Sequence, residues 1–179
     1  MLDLNALEKM ALEAGFTHMG PLDRSTIELK QEVREMCRTG NCGAYGKKWT
    51  CPPACGSLEE CRAQLERFSR GILVQTVGEL EDSFDYEAMM DIEAAHKKHF
   101  AALEKALRVQ YPDMLALAAG GCTKCRECTY PDAPCRFPGK AFASMEAFGM
   151  LVLQVCKAND MTYYYGPNTI AYTSCFLLE

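Results

Sequence analysis

Apolar positions along the chain recur at helical spacing in some segments and in short unbroken runs in others, and the two kinds alternate. Residues 2–15 put Leu7, Met10, Ala11 and Ala14 on one helical face, with Gly15 where a left-handed C-cap belongs. A second helix is expected over 25–38, capped by Ser25 or Thr26. Residues 39–56, rich in Gly, Pro and Cys, predict a loop. Ser57-Leu58-Glu59-Glu60 is a capping box that opens a helix to about Ser69, with Leu58, Cys61, Leu65 and Phe68 on its apolar side. Residues 71–78 form a Gly-bounded apolar run of strand length and predict a buried strand.

A long helix is expected over 85–110. Its apolar face carries Met89, Ile92, His96, Phe100, Leu103, Leu107 and Tyr111. Residues 113–119 are a second short apolar run. Residues 144–159 are apolar almost all round and predict a buried helix, and 161–165 and 169–178 read as strands about a turn. Helices alternating with short strands predict a small α/β or α+β fold, a mixed sheet covered by helices, in one domain over 1–179. No internal repeat or linker interrupts it. The longest uncharged run, 161–178, is broken by Gly166, Pro167 and Asn168, whereas a membrane-spanning helix needs about 20 mostly apolar residues.

Composition narrows the class. Hydrophobic residues at 49% and charged residues at 24% are enough for a core and exclude disorder as the main state. There are 11 cysteines, an odd number, so complete internal pairing is impossible. The N-terminal segment lacks the basic start and apolar run of a signal peptide, so reduced thiols in the cytoplasm, kept for metal, are expected.

The net charge of −5 argues against general nucleic-acid binding. The charge is uneven: 34–62 and 120–140 each carry +2, and 79–93 carries −7 with no base. The two basic segments are the two cysteine-rich ones, and cations stabilise an anionic thiolate centre. The acidic run reads as a solvated helix face, with docking of a basic partner as the alternative.

Cys122, Cys125 and Cys128 follow one another at two-residue gaps, and Cys135 comes six residues later. Such a triplet wraps one loop around a cubane, with the fourth thiolate arriving from further along the chain. The last gap and the position of Pro138 differ from the ferredoxin run, so Cys135 can serve the same [4Fe–4S] cluster. Zinc is the alternative, although structural zinc sites with four cysteine ligands favour two separated C-x2-C pairs.

The first loop, 37–55, carries Cys37, Cys42, Cys51 and Cys55, with Pro52 and Pro53 stiffening the backbone after Cys51. A metal site at Cys37, Cys42 and Cys51 is expected, and Cys55 is the choice of fourth ligand because it lies just ahead of a helix N-terminus. Cys61 and Cys156 fall on apolar faces and read as core residues. Cys175 fits either role. If only three cysteines bind a cubane there, one iron is open to a small substrate as a Lewis acid.

The segments CRTGNCGAYGKKWTCPP and CTKCRECTYPDAPCRFPGKAFASMEAFG resemble the two signatures of the predicted metal-binding proteins of a family of unknown function, domain of unknown function 2284. The resemblance implies cysteine-bound metal, in the form of iron–sulfur, and no reaction. Its pattern falls on Cys37, Cys42 and Cys51 and on Cys122, Cys125, Cys128 and Cys135. Cys55 is not a fixed part of it, so the resemblance leaves the fourth ligand of the first site open.

His96 lies mid-face on an apolar helix and reads as a satisfied core histidine, with metal ligation or proton donation as the alternative. Glu93-x-x-His96 occurs once, whereas di-iron bundles need it on two helices. His99 falls on the flank of the same helix. Trp49 shields a cluster or anchors its loop, and Tyr163 to Tyr165 line a pocket or lead a strand into a turn. No dinucleotide-binding, Walker A or nucleophile-elbow motif is present. The expected role is electron transfer through one or two iron–sulfur clusters to a redox partner protein. The alternatives are an enzyme whose open iron at the first motif binds a small-molecule substrate, and a zinc-stabilised interaction module.

Overall fold

The computed structural model describes residues 2–40 and 42–179. In chain order the elements are α1 (Leu4–Ala14), β1 (His18–Asp23), α2 (Gln31–Thr39), α3 (Leu58–Leu65), β2 (Arg70–Glu79), α4 (Tyr86–Gln110), β3 (Leu115–Leu117), α5 (Val152–Ala158) and β4 (Thr169–Leu177). The four strands form one sheet in the order β1-β2-β4-β3, and every neighbouring pair is antiparallel. The fold is therefore the α+β of the two expected classes. Among the described residues, parallel pairing enters only as an isolated bridge between Ala118 and Ser144.

The predicted strand at 71–78 is β2, the centre of the sheet. Its six residues from Gly71 to Thr76 are buried because helices cover both faces. Alternation then divides the core. Ile72 and Val74 point into one cluster with Leu7 and Ala11 of α1, Phe100, Leu103 and Leu107 of α4, and Phe176 of β4. Leu73 points into the other, with Cys61 and Leu65 of α3, Val155 and Cys156 of α5, and Cys175 and Leu177 of β4. Two-sided cover makes an antiparallel strand read as a continuous apolar run, a pattern more usual in parallel sheets.

Local signals act as expected at several ends. Gly15 takes φ +106° and returns its N–H to the last turn of α1. A Cβ there would stand 2.6 Å from the His99 imidazole. Both halves of the Ser57–Glu60 capping box are present, though α3 stops at Leu65. Asp85 caps α4 by accepting from Ala88 N–H.

Three expectations are corrected, and one strand was not expected. The helix expected over 25–38 is a 3-10 turn at Arg24–Thr26, an extended stretch and then α2. The Asp23 carboxylate caps the turn, and Leu29 pairs with Met150 while Lys30 N–H donates to Gly149 O, so tertiary bonds hold 27–30 extended. The helix expected over 144–159 is reduced to α5, because Gly149 sits at φ +91° and turns the chain. Residues 161–165 form no strand. They are held instead by Gln75, whose Nε2 donates to Thr162 O at 2.9 Å and whose Oε1 accepts from Tyr165 OH at 2.6 Å. Strand β1 has no sequence signal, since Gly20-Pro21 reads as a turn. At the sheet edge proline is tolerated. No helix is long and apolar enough to cross a membrane among the described residues.

Candidate metal centre

Strand β3 delivers the chain into the second cysteine loop, which is closed at its base. Ala118 N–H donates to Ala143 O at 2.8 Å and Met145 N–H to Ala118 O at 3.1 Å. Within the loop Thr129 Oγ1 donates to Pro134 O at 2.9 Å, and Arg136 Nη1 donates to Glu127 O at 2.8 Å. These bonds bring Cys122, Cys125, Cys128 and Cys135 around a single narrow gap, walled also by Lys48, Trp49, Lys124 and Arg136. Phe137 N–H donates to Cys135 Sγ at 3.4 Å. Burial acts to raise the Cys128 thiol pKa. The N–H groups of Tyr130, Trp49 and Thr129, with the Lys48 ammonium, outweigh it and bring the thiol below its ordinary range. Cationic side chains and N–H donors directed at sulfur favour thiolate, the metal-binding form.

The first loop places its cysteines differently. Cys37 sits on the last turns of α2, and Cys42 and Cys51 come from the loop that follows. All three line one cavity of about 370 Å³, which Glu146, Tyr45 and Tyr163 also face. Burial raises the Cys37 thiol pKa, and the Glu146 carboxylate and the thiols of Cys42 and Cys51 raise it further. Burial likewise raises Cys51 against a hydrogen bond with Thr50 and the nearby Lys48, with Cys42 and Cys55 adding to the rise. Thiolate charge on the neighbouring cysteines adds to the effect of burial, and a bound cation opposes it.

Cys55 is not among the residues that line this cavity. Its thiol donates to Ala147 O at 3.6 Å, and the Arg34 guanidinium lies 3.6 Å from its sulfur while donating to Gly56 O at 2.6 Å. Hydrogen bonding with Cys61 and burial push the Cys55 thiol strongly up. Cys61, Cys156 and Cys175 are buried in the core.

The two loops are clamped together. Lys48 Nζ donates to Cys122 O at 2.7 Å, and Trp49 Nε1 donates to Ala133 O at 3.0 Å. The Trp49 ring meets Tyr130 edge-on, with centroids 4.9 Å apart. Trp49 thus anchors one cysteine loop on the other. Among the described residues no three His, Cys, Asp or Glu side chains converge closely enough to hold a single metal ion.

His96 is a core residue. It is fully buried, and its two ring nitrogens lie 2.9 Å from Thr76 Oγ1 and 2.7 Å from Ser174 Oγ. Burial, then His99 and Lys97, lower its pKa to about 3, so it stays neutral. Glu146 and the pair Gly120-Gly121, which also line the first cavity, were not singled out by motif. The usable signal for Glu146 is a lone charge inside the apolar stretch 144–151. Burial raises its carboxyl pKa above the usual range.

No curated protein and no solved structure was found to match the chain. The model of one family, described as predicted metal-binding protein, matches it over residues 20–178, a span that contains both cysteine loops. The chain belongs to this predicted metal-binding protein family, DUF2284.

Proposed function

We propose that the chain is an iron–sulfur protein of electron transfer, holding a [4Fe–4S] cluster at Cys122, Cys125, Cys128 and Cys135. The observation that carries this reading is the gathering of all four thiols around one gap that is walled by Lys48, Lys124 and Arg136. A cluster spreads its thiolates over several irons, whereas zinc draws four sulfurs to about 2.3 Å from one point. A bound cluster supplies one-electron chemistry. The chain's own groups orient the thiolates, neutralise their charge and, through Trp49, cover one side of the gap.

A second reading concerns the first loop. Cys37, Cys42 and Cys51 open onto a cavity of about 370 Å³, within the usual range for small-molecule sites. A metal centre with three protein ligands there leaves a position for a small substrate, with Glu146 and Tyr163 as the polar groups facing it.

Iron and acid-labile sulfide are to be measured on protein purified without oxygen, with visible spectra of the wild type and of Cys125→Ser and Cys51→Ser. About four of each per chain, lost in Cys125→Ser alone, supports the cluster at the second loop. About eight of each supports two clusters and electron transfer between them. Zinc without sulfide overturns the iron–sulfur reading.

A further inference from the structure

A second cavity, of about 210 Å³, lies between α4 and the second cysteine loop. Its wall is split by chemistry. Phe100, Ala101 and Phe142 make an apolar side, on which the two phenyl rings meet at 67° with centroids 5.2 Å apart. Lys97 of α4 and Lys124 and Lys140 of the loop line it as well, and the Glu93 carboxylate that pairs with Lys97 from one turn earlier on α4 lies beside Gly120 at its edge. Lys124 and Lys140 make no ion pair among the described residues. Gly120, at φ +67°, turns the backbone past the mouth, and Cys122 belongs both to this wall and to the four-cysteine gap.

We infer that this cavity binds a small organic acid with an apolar body. An apolar cavity of about 150 Å³ accommodates benzene. The larger volume here takes a ring with a carboxylate, the ring against Phe100 and Phe142 and the carboxylate at Lys124 and Lys140. Two unpaired ammonium groups beside an apolar wall select an anion, and a bare inorganic anion leaves the phenylalanine side unused. The bound acid sits against the backbone that carries Cys122. The cavity shares Cys122 and Lys124 with the four-cysteine gap, but the probes read organic-acid binding and not metal content, so failure here is distinguishable from failure of the cluster reading.

The test uses the full-length protein as isolated without oxygen, with benzoate and the neutral isostere benzamide as probes, read by calorimetry and ligand-observed NMR. Benzoate is expected to bind about tenfold or more tightly than benzamide, since a charge-assisted contact is lost in the amide. Lys140→Gln is expected to weaken benzoate by about fivefold while leaving benzamide unchanged. Ala101→Trp, at an exposed position on α4, fills the cavity and is expected to remove binding of both. Absence of benzoate binding, equal affinity for the two probes, or wild-type benzoate binding in Ala101→Trp overturns the inference.

Discussion

Replacing His96 by Gln exchanges a buried base for a neutral amide that reaches the same two hydroxyls, Thr76 and Ser174. In the unfolded chain the imidazole takes up a proton near pH 6.5. In the folded chain burial, then His99 and Lys97, lower that to about 3. Between these values the unfolded chain binds the extra proton, so His96 costs stability as pH falls and nothing once pH is well above 6.5. Integrating the linkage relation from about pH 7.5 down to about pH 5.5 gives a loss of ~1.4 kcal/mol assigned to this one residue. With a urea m-value of about 2 kcal/mol/M, the midpoint moves by ~0.7 M. The assay is urea unfolding followed by far-UV circular dichroism for wild type and His96→Gln at both pH values. Carboxylates, His99 and the cysteine loops titrate alike in both proteins, so the difference between their pH dependences isolates His96. The wild type is expected to lose that extra increment on acidification. Parallel profiles for the two proteins would falsify the account of a neutral, buried His96.

Three further outcomes are expected. Gly15→Ala forces a side chain into left-handed backbone and onto the His99 ring, at a cost of about 1–3 kcal/mol; thermal unfolding should shift down by roughly 2–10 °C, and an unchanged midpoint refutes the capping role. Lys48→Gln removes the bond to Cys122 O and a cation from the four-cysteine gap; competition with a chelator should show metal affinity reduced by about 10-fold or more, and equal affinity sinks the clamp. Glu146→Gln removes the carboxylate that raises the Cys37 thiol, so alkylation of Cys37 in demetallated protein, followed by mass spectrometry, should become faster at mildly alkaline pH; a rate equal to wild type counts against their proximity.

Periodicity and capping made α1, α3, β2 and α4 legible, because each buries apolar side chains of its own, and Gly15 and the Ser57–Glu60 box mark two of the ends. The misread segments depend on distant partners. Residues 27–30 stay extended because Gly149 and Met150 accept and pair with them from more than a hundred residues away. The apolar stretch 144–159 has the composition of a helix, and its first half is turned aside at Gly149. The edge strand β1 is hidden by Gly20-Pro21, which a local reading assigns to a turn. At the centre, the spacing of Cys122, Cys125, Cys128 and Cys135 showed that they share a loop, and all four face one gap. That Cys55 does not line the cavity shared by Cys37, Cys42 and Cys51, although its N–H bonds Cys51 O, was not legible. It arises from Arg34 and Ala147, and neither lies in the motif.

The clamp between the loops also bears on the order in which the sites fill. Lys48 and Trp49 lie between Cys42 and Cys51 in sequence, yet they bond to the backbone of the other loop. Metal that immobilises one loop therefore prepays part of the ordering entropy of its neighbour. Thermodynamic linkage requires the favour to be returned in equal measure, whichever loop is loaded first. Were both loops to hold metal, this clamp would couple their loading.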